Sequence, residues 1–280
     1  MADREAAPGR LVWSGHTDVG KVRDNNEDTF LCLQFNADEV RFLGKVGECE
    51  TGEWDFVFAV GDGMGGAMAG EFASRIAVDR ITHLFPQSFK QSASGFTTGF
   101  EDLMVELFES IHNELLRQGR AYEECRGMGT TLSLCWLTPG WLLFGHIGDS
   151  RIYYLPAGGD GIRQLSHDDT HVGWLFRKGE ISEREAKNHP RRNSLKKALG
   201  AGHRFAEPQV GAVDFMPGDR FLICSDGVSD GLYDRQLARL LRAPGPHEAD
   251  AEPAVRLVRA AVDIAGRDNA TAIVIEAAAR

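Results

Sequence analysis

Nothing in this sequence supports a disulfide framework. The five cysteines, Cys32, Cys49, Cys125, Cys135 and Cys224, are odd in number, widely spaced and include no Cys-x-x-Cys pair. That argues against covalent staples and against a zinc knuckle. Long apolar runs are missing as well, so no segment has the length of a membrane span. The first nine residues are polar and lack the apolar stretch of a signal peptide. A reducing cytoplasm is the expected compartment. Positive charge is scarce: 31 Lys and Arg face 41 Asp and Glu, a net charge of −10. This balance excludes a general nucleic-acid binder and an anionic membrane surface as partners. Repeats and long linkers are also absent. We expect a loose arm at 1–9 and a single domain over 10–280.

What is present suffices for a large core. Of the 280 residues, 42% are hydrophobic and 26% charged, ordinary for a globular domain. Short β-branched or aromatic runs predict strands at 11–15, 28–34, 55–60, 130–137, 141–147, 151–155, 210–215, 220–224 and 271–275. Thr138-Pro139-Gly140 and Pro217-Gly218-Asp219 read as tight turns, so the strands they join are expected to be antiparallel neighbours. Ala73, Ile76, Ala77, Ile81 and Leu84 recur at helical spacing, as do Phe100, Leu103, Met104, Leu107, Ile111 and Leu115. A third helix is expected at about 253–265, with Val255, Val258, Ala261 and Val262 inward. Cys32, Cys135 and Cys224 belong in the core. Antiparallel strands with a helical pair inserted among them imply an α+β fold of stacked sheets covered by helices.

Four aspartates share one setting. Asp62, Asp149 and Asp226 follow strand-like runs, Asp268 precedes one, and each lies beside Gly, Ser or Asn. A carboxylate at the end of a buried strand is costly unless something compensates it. Any one of them is explained by turn chemistry alone. Their recurrence instead suggests an oxygen-rich site for Mg²⁺ or Mn²⁺. Gly63 leaves its carbonyl free to turn toward a metal, and Glu27 is a further candidate ligand. Arg23 has the planar fork that grips phosphate oxygens; the competing role is a surface ion pair with Asp24 or Glu27. Gly61-Asp62-Gly63-Met64-Gly65-Gly66 also matches a dinucleotide-binding loop. We reject that reading, because Asp62 would stand where pyrophosphate must approach. The acidic residue about 20 positions on, Asp79, falls inside an amphipathic helix and not at a strand end.

In order, the chain carries Asp18-Val19-Gly20-x-x-Arg23-x-x-Asn26-Glu27-Asp28, Val60-Gly61-Asp62-Gly63-Met64-Gly65-Gly66 and Gly129-Thr130-Thr131. Gly148-Asp149-Ser150-Arg151, Ser225-Asp226-Gly227 and Arg267-Asp268-Asn269-Ala270-Thr271 follow. This succession resembles the metal-dependent protein serine/threonine phosphatases, the type 2C or PPM family, in their bacterial form. The resemblance implies a four-layer α-β-β-α sandwich of two antiparallel sheets, with a small flap subdomain at about 166–200. It implies hydrolysis of phosphoserine and phosphothreonine on proteins by direct attack of a hydroxide held between two cations, opposing a bacterial Ser/Thr kinase.

Residue by residue, the resemblance makes Asp62 the bridge between two Mn²⁺ or Mg²⁺ ions. Gly63 and Glu27 would serve one ion, and Asp226 and Asp268 the other. Asp149 with Asp226 would form a weaker third site. Arg23 would hold the phosphate, with Asp28 and Asn269 in support and Gly129, Thr130 and Thr131 structural. Phosphorylated proteins are the implied partners, with no nucleic acid or membrane and with a monomeric state. Met64 departs from eukaryotic members, which place a proton-donating His there. Asp169 departs too, as does the long stretch 36–54.

Residues 171–197 carry eight Lys or Arg against three Glu. Arg191, Arg192, Lys196 and Lys197 are candidates for docking an acidic phosphoprotein segment; a solvated helical face is the competing role. Two other functions stay open: a catalytically silent scaffold, and a metal phosphoesterase for small molecules. The intact set Asp62, Asp226 and Asp268 speaks against the scaffold.

Overall fold

The computed structural model describes residues 9–36, 38–66, 69–93, 99–159 and 161–279. Apart from Gly9, the expected arm at 1–9 lies outside them, as does the side chain of Leu84. From the amino end come β1 (Arg10–Asp18), β2 (Asp28–Phe35), β3 (Val40–Phe42), β4 (Val46–Glu50) and β5 (Asp55–Met64). Helices α1 (Ala69–Ala93) and α2 (Phe100–Ala121) follow. Next are β6 (Gly129–Thr130), β7 (Leu132–Thr138), β8 (Trp141–Ile147), β9 (Arg151–Leu155) and β10 (Arg163–Gln164). Then come α3 (His171–Arg177), α4 (Glu183–Lys187), β11 (Leu199–Gly200), β12 (Gln209–Asp214) and β13 (Arg220–Cys224). The chain closes with α5 (Asp226–Gly231), α6 (Asp234–Arg242), α7 (Pro253–Ile264) and β14 (Ala270–Ala278).

One sheet runs β10-β9-β13-β14-β1-β4. The other runs β11-β6-β5-β7-β8-β12, with β2 on β5 and β3 on β2. Alternation along the central strands fixes the layers, because successive side chains point to opposite faces. Phe56, Phe58 and Val60 of β5 pack between the sheets with Phe221 and Ile223 of β13 and Ile273 and Ile275 of β14. The intervening Val57 and Ala59 face α1 and α2, whose Ala73, Ala77, Ile81, Met104 and Ile111 are fully buried. On the outer face of the first sheet, Leu222, Cys224, Ala272 and Val274 meet α5, α6 and α7. The architecture is thus a four-layer α-β-β-α sandwich. Each large apolar side chain taken wholly out of water contributes about 1.5–3 kcal/mol.

The Pro139-Gly140 turn does join antiparallel neighbours, with Thr138 opposite Trp141 and Gly140 at φ +78°, the pairing of Pro and Gly that a type II turn favours. The Pro217-Gly218 turn does not. It reverses the chain between β12 and β13, but these strands lie in different sheets. Turn chemistry sets a reversal without choosing the partner strand. A second correction concerns α7: Ala254, Leu257, Val258 and Ala261 are its buried face, while Val255 is only half-buried. The 36–54 stretch supplies β3 to one sheet and β4 to the other, closing one side of the sandwich. Trp13 anchors it, donating from Nε1 to the Gly44 carbonyl at 2.9 Å.

Two links cross between sheets at the same end, 19–27 from β1 to β2 and 148–150 from β8 to β9. At that end β5 and β13 finish and β14 begins. The strand-end aspartates therefore converge.

Candidate metal centre

Asp62 ends the buried part of β5 and stands directly opposite Asp28 of β2 in the ladder. Like charges across a strand pair destabilise it, so this pairing needs an outside reason. The backbone of Asp62 is held firmly. Its N–H donates to Thr131 Oγ1 at 3.1 Å, and its carbonyl accepts from Thr130 Oγ1 and from Thr131 N–H, each at 2.9 Å. The structural role read for Thr130 and Thr131 is this clamp. Gly63 follows, where a Cβ would come 2.0 Å from the Gly70 carbonyl oxygen. Only glycine lets β5 meet the start of α1 there.

Asn269 stitches the 19–27 link to β14. Its Oδ1 accepts from Glu27 N–H at 2.8 Å, and its Nδ2 donates to the carbonyls of Val19 and Asn25 at 3.0 and 2.9 Å. Ser74 of α1 donates to the Glu27 carbonyl at 2.8 Å. Asp226 opens α5, and the next position must be glycine, because a Cβ on Gly227 would lie 1.9 Å from the Asn269 carbonyl oxygen. Asp149 sits in the 148–150 link, whose Gly148 N–H donates to Asp169 Oδ2 at 3.0 Å.

These elements enclose a cleft of about 620 Å³ lined by Arg23, Glu27, Asp62, Gly63, Asp149, Asp226 and Asp268, together with Met64, Asn193 and Leu195. Burial, then the charges of Asp28 and Asp226, drives the Asp62 carboxyl well above its ordinary range. Burial, then Asp149, does the same to Asp226. Burial and the Asp168 charge push Asp149 up to about 7. Burial lifts Asp28 to about 6, although Ser225 Oγ donates to its Oδ2 at 2.7 Å. The guanidinium of Arg23 is half-exposed and donates to Asp268 Oδ2 at 2.9 Å. Arg23 thus pairs with neither Asp24 nor Glu27.

The donor set fits a hard divalent cation. Every candidate ligand atom is oxygen. Asp226 Oδ1 and Asp28 Oδ1 are buried with no hydrogen-bond partner. Among the described residues no three His, Cys, Asp or Glu side chains close on a single point. The carboxylates ring the cleft, and Arg23 is the one cation among the described residues that line it.

Sequence reasoning missed three contributors: Asn193, whose Nδ2 reaches Asp226 Oδ2 at 3.3 Å, Ser225 and Ser74. Nothing in a basic run singles out one asparagine. Of the four basic docking candidates, Arg192 is engaged by Asp230 at 3.0 Å and Lys197 by Glu207 at 3.0 Å. Arg191 and Lys196 are exposed.

A family model described as protein phosphatase 2C matches residues 45–260. The chain belongs to the protein phosphatase 2C family. Among curated members it is 33% identical over 269 residues to the serine/threonine protein phosphatase PstP of Mycobacterium tuberculosis, covering 95% of this chain and 45% of PstP. The chain therefore spans about half the length of that relative. It is 30% identical to the serine/threonine phosphatase stp of Listeria innocua, with 93% of each chain covered. A crystal structure of the PstP catalytic domain in complex with two manganese ions matches at 29% identity and a TM-score of 0.70, covering 96% of this chain and 99% of that one. The α-β-β-α sandwich is thus the fold of this family's solved phosphatases.

Proposed function

We propose that this protein is a metal-dependent phosphatase that hydrolyses phosphoserine and phosphothreonine on proteins. The observation that carries this reading is the ring of buried and half-buried carboxylates at one end of both sheets, with a single guanidinium lining the same cleft. Asp62, the Gly63 carbonyl and Glu27 would hold one Mn²⁺ or Mg²⁺; Asp62, Asp226 and Asp268 the second; Asp149 and Asp226 a weaker third. When bound, such cations generate a nucleophile from water at neutral pH and neutralise charge on the phosphoryl oxygens. Arg23 lies at the cleft mouth. With Asp268 engaged by a cation, the Arg23 guanidinium would be free to fork onto two phosphate oxygens. Thr130 and Thr131 keep Asp62 from shifting, and Asn269 and Asp28 hold the 19–27 link and Ser225 in place. Met64 lines the cleft and has no proton to give, and water in the site is the candidate donor to the leaving oxygen.

The 166–200 segment fits a flap beside this cleft, since Asn193 and Leu195 form part of its wall. A substrate of this class is supplied by a protein kinase acting on serine or threonine. No helix among the described residues is long and apolar enough to cross a membrane. A monomer in the cytoplasm is the setting we infer. The test is hydrolysis of phosphothreonine and phosphoserine peptides with Mn²⁺, with and without chelator. Asp62→Asn should cost about 10³-fold in turnover, the equivalent of losing several kcal/mol of charge stabilisation. Turnover that survives both chelation and Asp62→Asn refutes the reading.

A further inference from the structure

Helix α4 is five residues long, too short to persist on its own in water. Its start is closed locally: Ser182 Oγ accepts from Glu185 N–H at 3.3 Å, and the Glu185 carboxylate accepts from Ser182 N–H at 2.7 Å. Of the other three charged side chains, Arg184 is exposed, while Glu183 and Lys187 reach to the junction of α5 and α6. Glu183 Oε1 accepts from the backbone N–H of Asp234, the first residue of α6, at 3.1 Å. Lys187 Nζ donates to the carbonyls of Ser229 and Leu232 at the end of α5, the latter at 2.7 Å. The same ammonium lies 4.7 Å from the centroid of the Tyr233 ring. An anion thus meets a helix start and a cation meets a helix end, each matching the sign of the local dipole.

We propose that Glu183 and Lys187, one turn apart on α4, form a two-pronged clamp that holds the 171–197 segment in register with α5 and hence with Asp226. A solvated helical face would leave both charges in water. Here burial, with the Arg151 charge, pushes the Lys187 ammonium below its ordinary value; the Ser229 and Leu232 carbonyls, the Tyr233 ring and the nearby Glu183, Asp230 and Asp234 charges offset part of that cost. The contacts continue toward the cleft: Arg192 pairs with Asp230, and Asn193 donates to Asp226 itself. Lys187 also shares an enclosed space with Asp149, Asp226 and Asp230. Glu183 and Lys187 are positioning residues, acting on the cleft wall through Asn193 and Leu195.

Hydrogen–deuterium exchange of the full chain tests this without any turnover, so its outcome is separate from that of the proposed function. Lys187→Met should speed exchange over 171–197 by about tenfold relative to β14, as expected when a local opening loses its restraint. Lys187→Arg should restore most of the protection. The swapped pair Glu183→Lys with Lys187→Glu keeps the attraction within α4 but reverses both ends against α5 and α6, and should not restore it. Unchanged exchange in Lys187→Met, or full protection in the swapped pair, overturns the clamp. If Lys187→Met unfolds the whole chain, Glu183→Gln carries the same expectation and the same refutation. A second readout rests on the proposed function. KM for a phosphopeptide should rise several-fold, while kcat on a small aryl phosphate stays within about twofold. Equal loss on both substrates means general damage and counts against a positioning role.

Discussion

Asp168 and Asp149 are both withdrawn from water and both feel Arg151, yet their carboxyls are driven in opposite directions. Burial alone would raise Asp168. The Arg151 guanidinium, bonded to it at 2.9 Å through Nε and 2.7 Å through Nη2, and Gln164 at 2.8 Å more than offset this and hold it below its ordinary value. Asp149 has no such partner, and burial with the Asp168 charge takes it to about 7. One carboxylate is compensated inside the fold. The other, with Asp62 and Asp226, is left for something outside the chain to compensate. This separates a structural ion pair from a site, although both consist of the same residue type in neighbouring spaces.

The largest expected break in this contrast comes from Asp168→Asn. It leaves a buried guanidinium unpaired, which costs about 3–5 kcal/mol. Urea unfolding of the metal-free protein measures it, and a loss of under about 1 kcal/mol would put Asp168 in the same class as an exposed pair. A smaller effect follows from pH. The raised folded-state values of Asp28, about 6, and Asp149, about 7, mean that their contribution is fully present below the ordinary carboxylate value of 3.8 and is lost as pH rises through 6 and 7. The melting temperature of chelator-treated protein should therefore fall between pH 5 and 8, the interval about those values, and saturating Mn²⁺ should flatten the fall. A flat profile without metal would mean that the carboxylates are compensated internally after all.

The sequence exposed the two kinds of carboxylate unequally. Asp62, Asp226 and Asp268 were legible because each lies at or within two residues of the end of a central strand's apolar run, and a strand's alternation is readable from one segment at a time. The same alternation located β5, β13 and β14 and both faces that they bury. Asn193, Ser225 and Ser74 were not legible, because their partners lie on other segments and their own surroundings are ordinary. The Pro217-Gly218 turn shows the same limit, with a local signal that fixed the reversal while β13 took its partners from the other sheet. The β3 and β4 pieces went unseen because both are short and mostly exposed, and partners far away in the chain, Trp13 and Gly15, help fix where they lie. Val255 illustrates a finer limit: near the start of α7, a rotation of one residue exchanges it for Ala254 on the buried face.

The smallest expected effect tests the contrast from its other side. Asp149→Asn changes the same atoms as Asp168→Asn but removes a charge that the Arg151 guanidinium offsets only in part. In the metal-free protein at neutral pH it should raise stability by about 1–2 kcal/mol: the lifted titration point of the buried carboxylate represents roughly 4 kcal/mol, and burying an unpaired amide in its place takes back about 1–3 kcal/mol. Saturating Mn²⁺ should shrink or reverse that gain, because the substitution then also removes a candidate ligand. Paired urea unfolding of the two variants, with chelator and with Mn²⁺, reads both signs in one experiment. Destabilisation by Asp149→Asn without metal would mean that Arg151 already serves both aspartates, and the boundary between ion pair and site would have to be redrawn around Asp62 and Asp226.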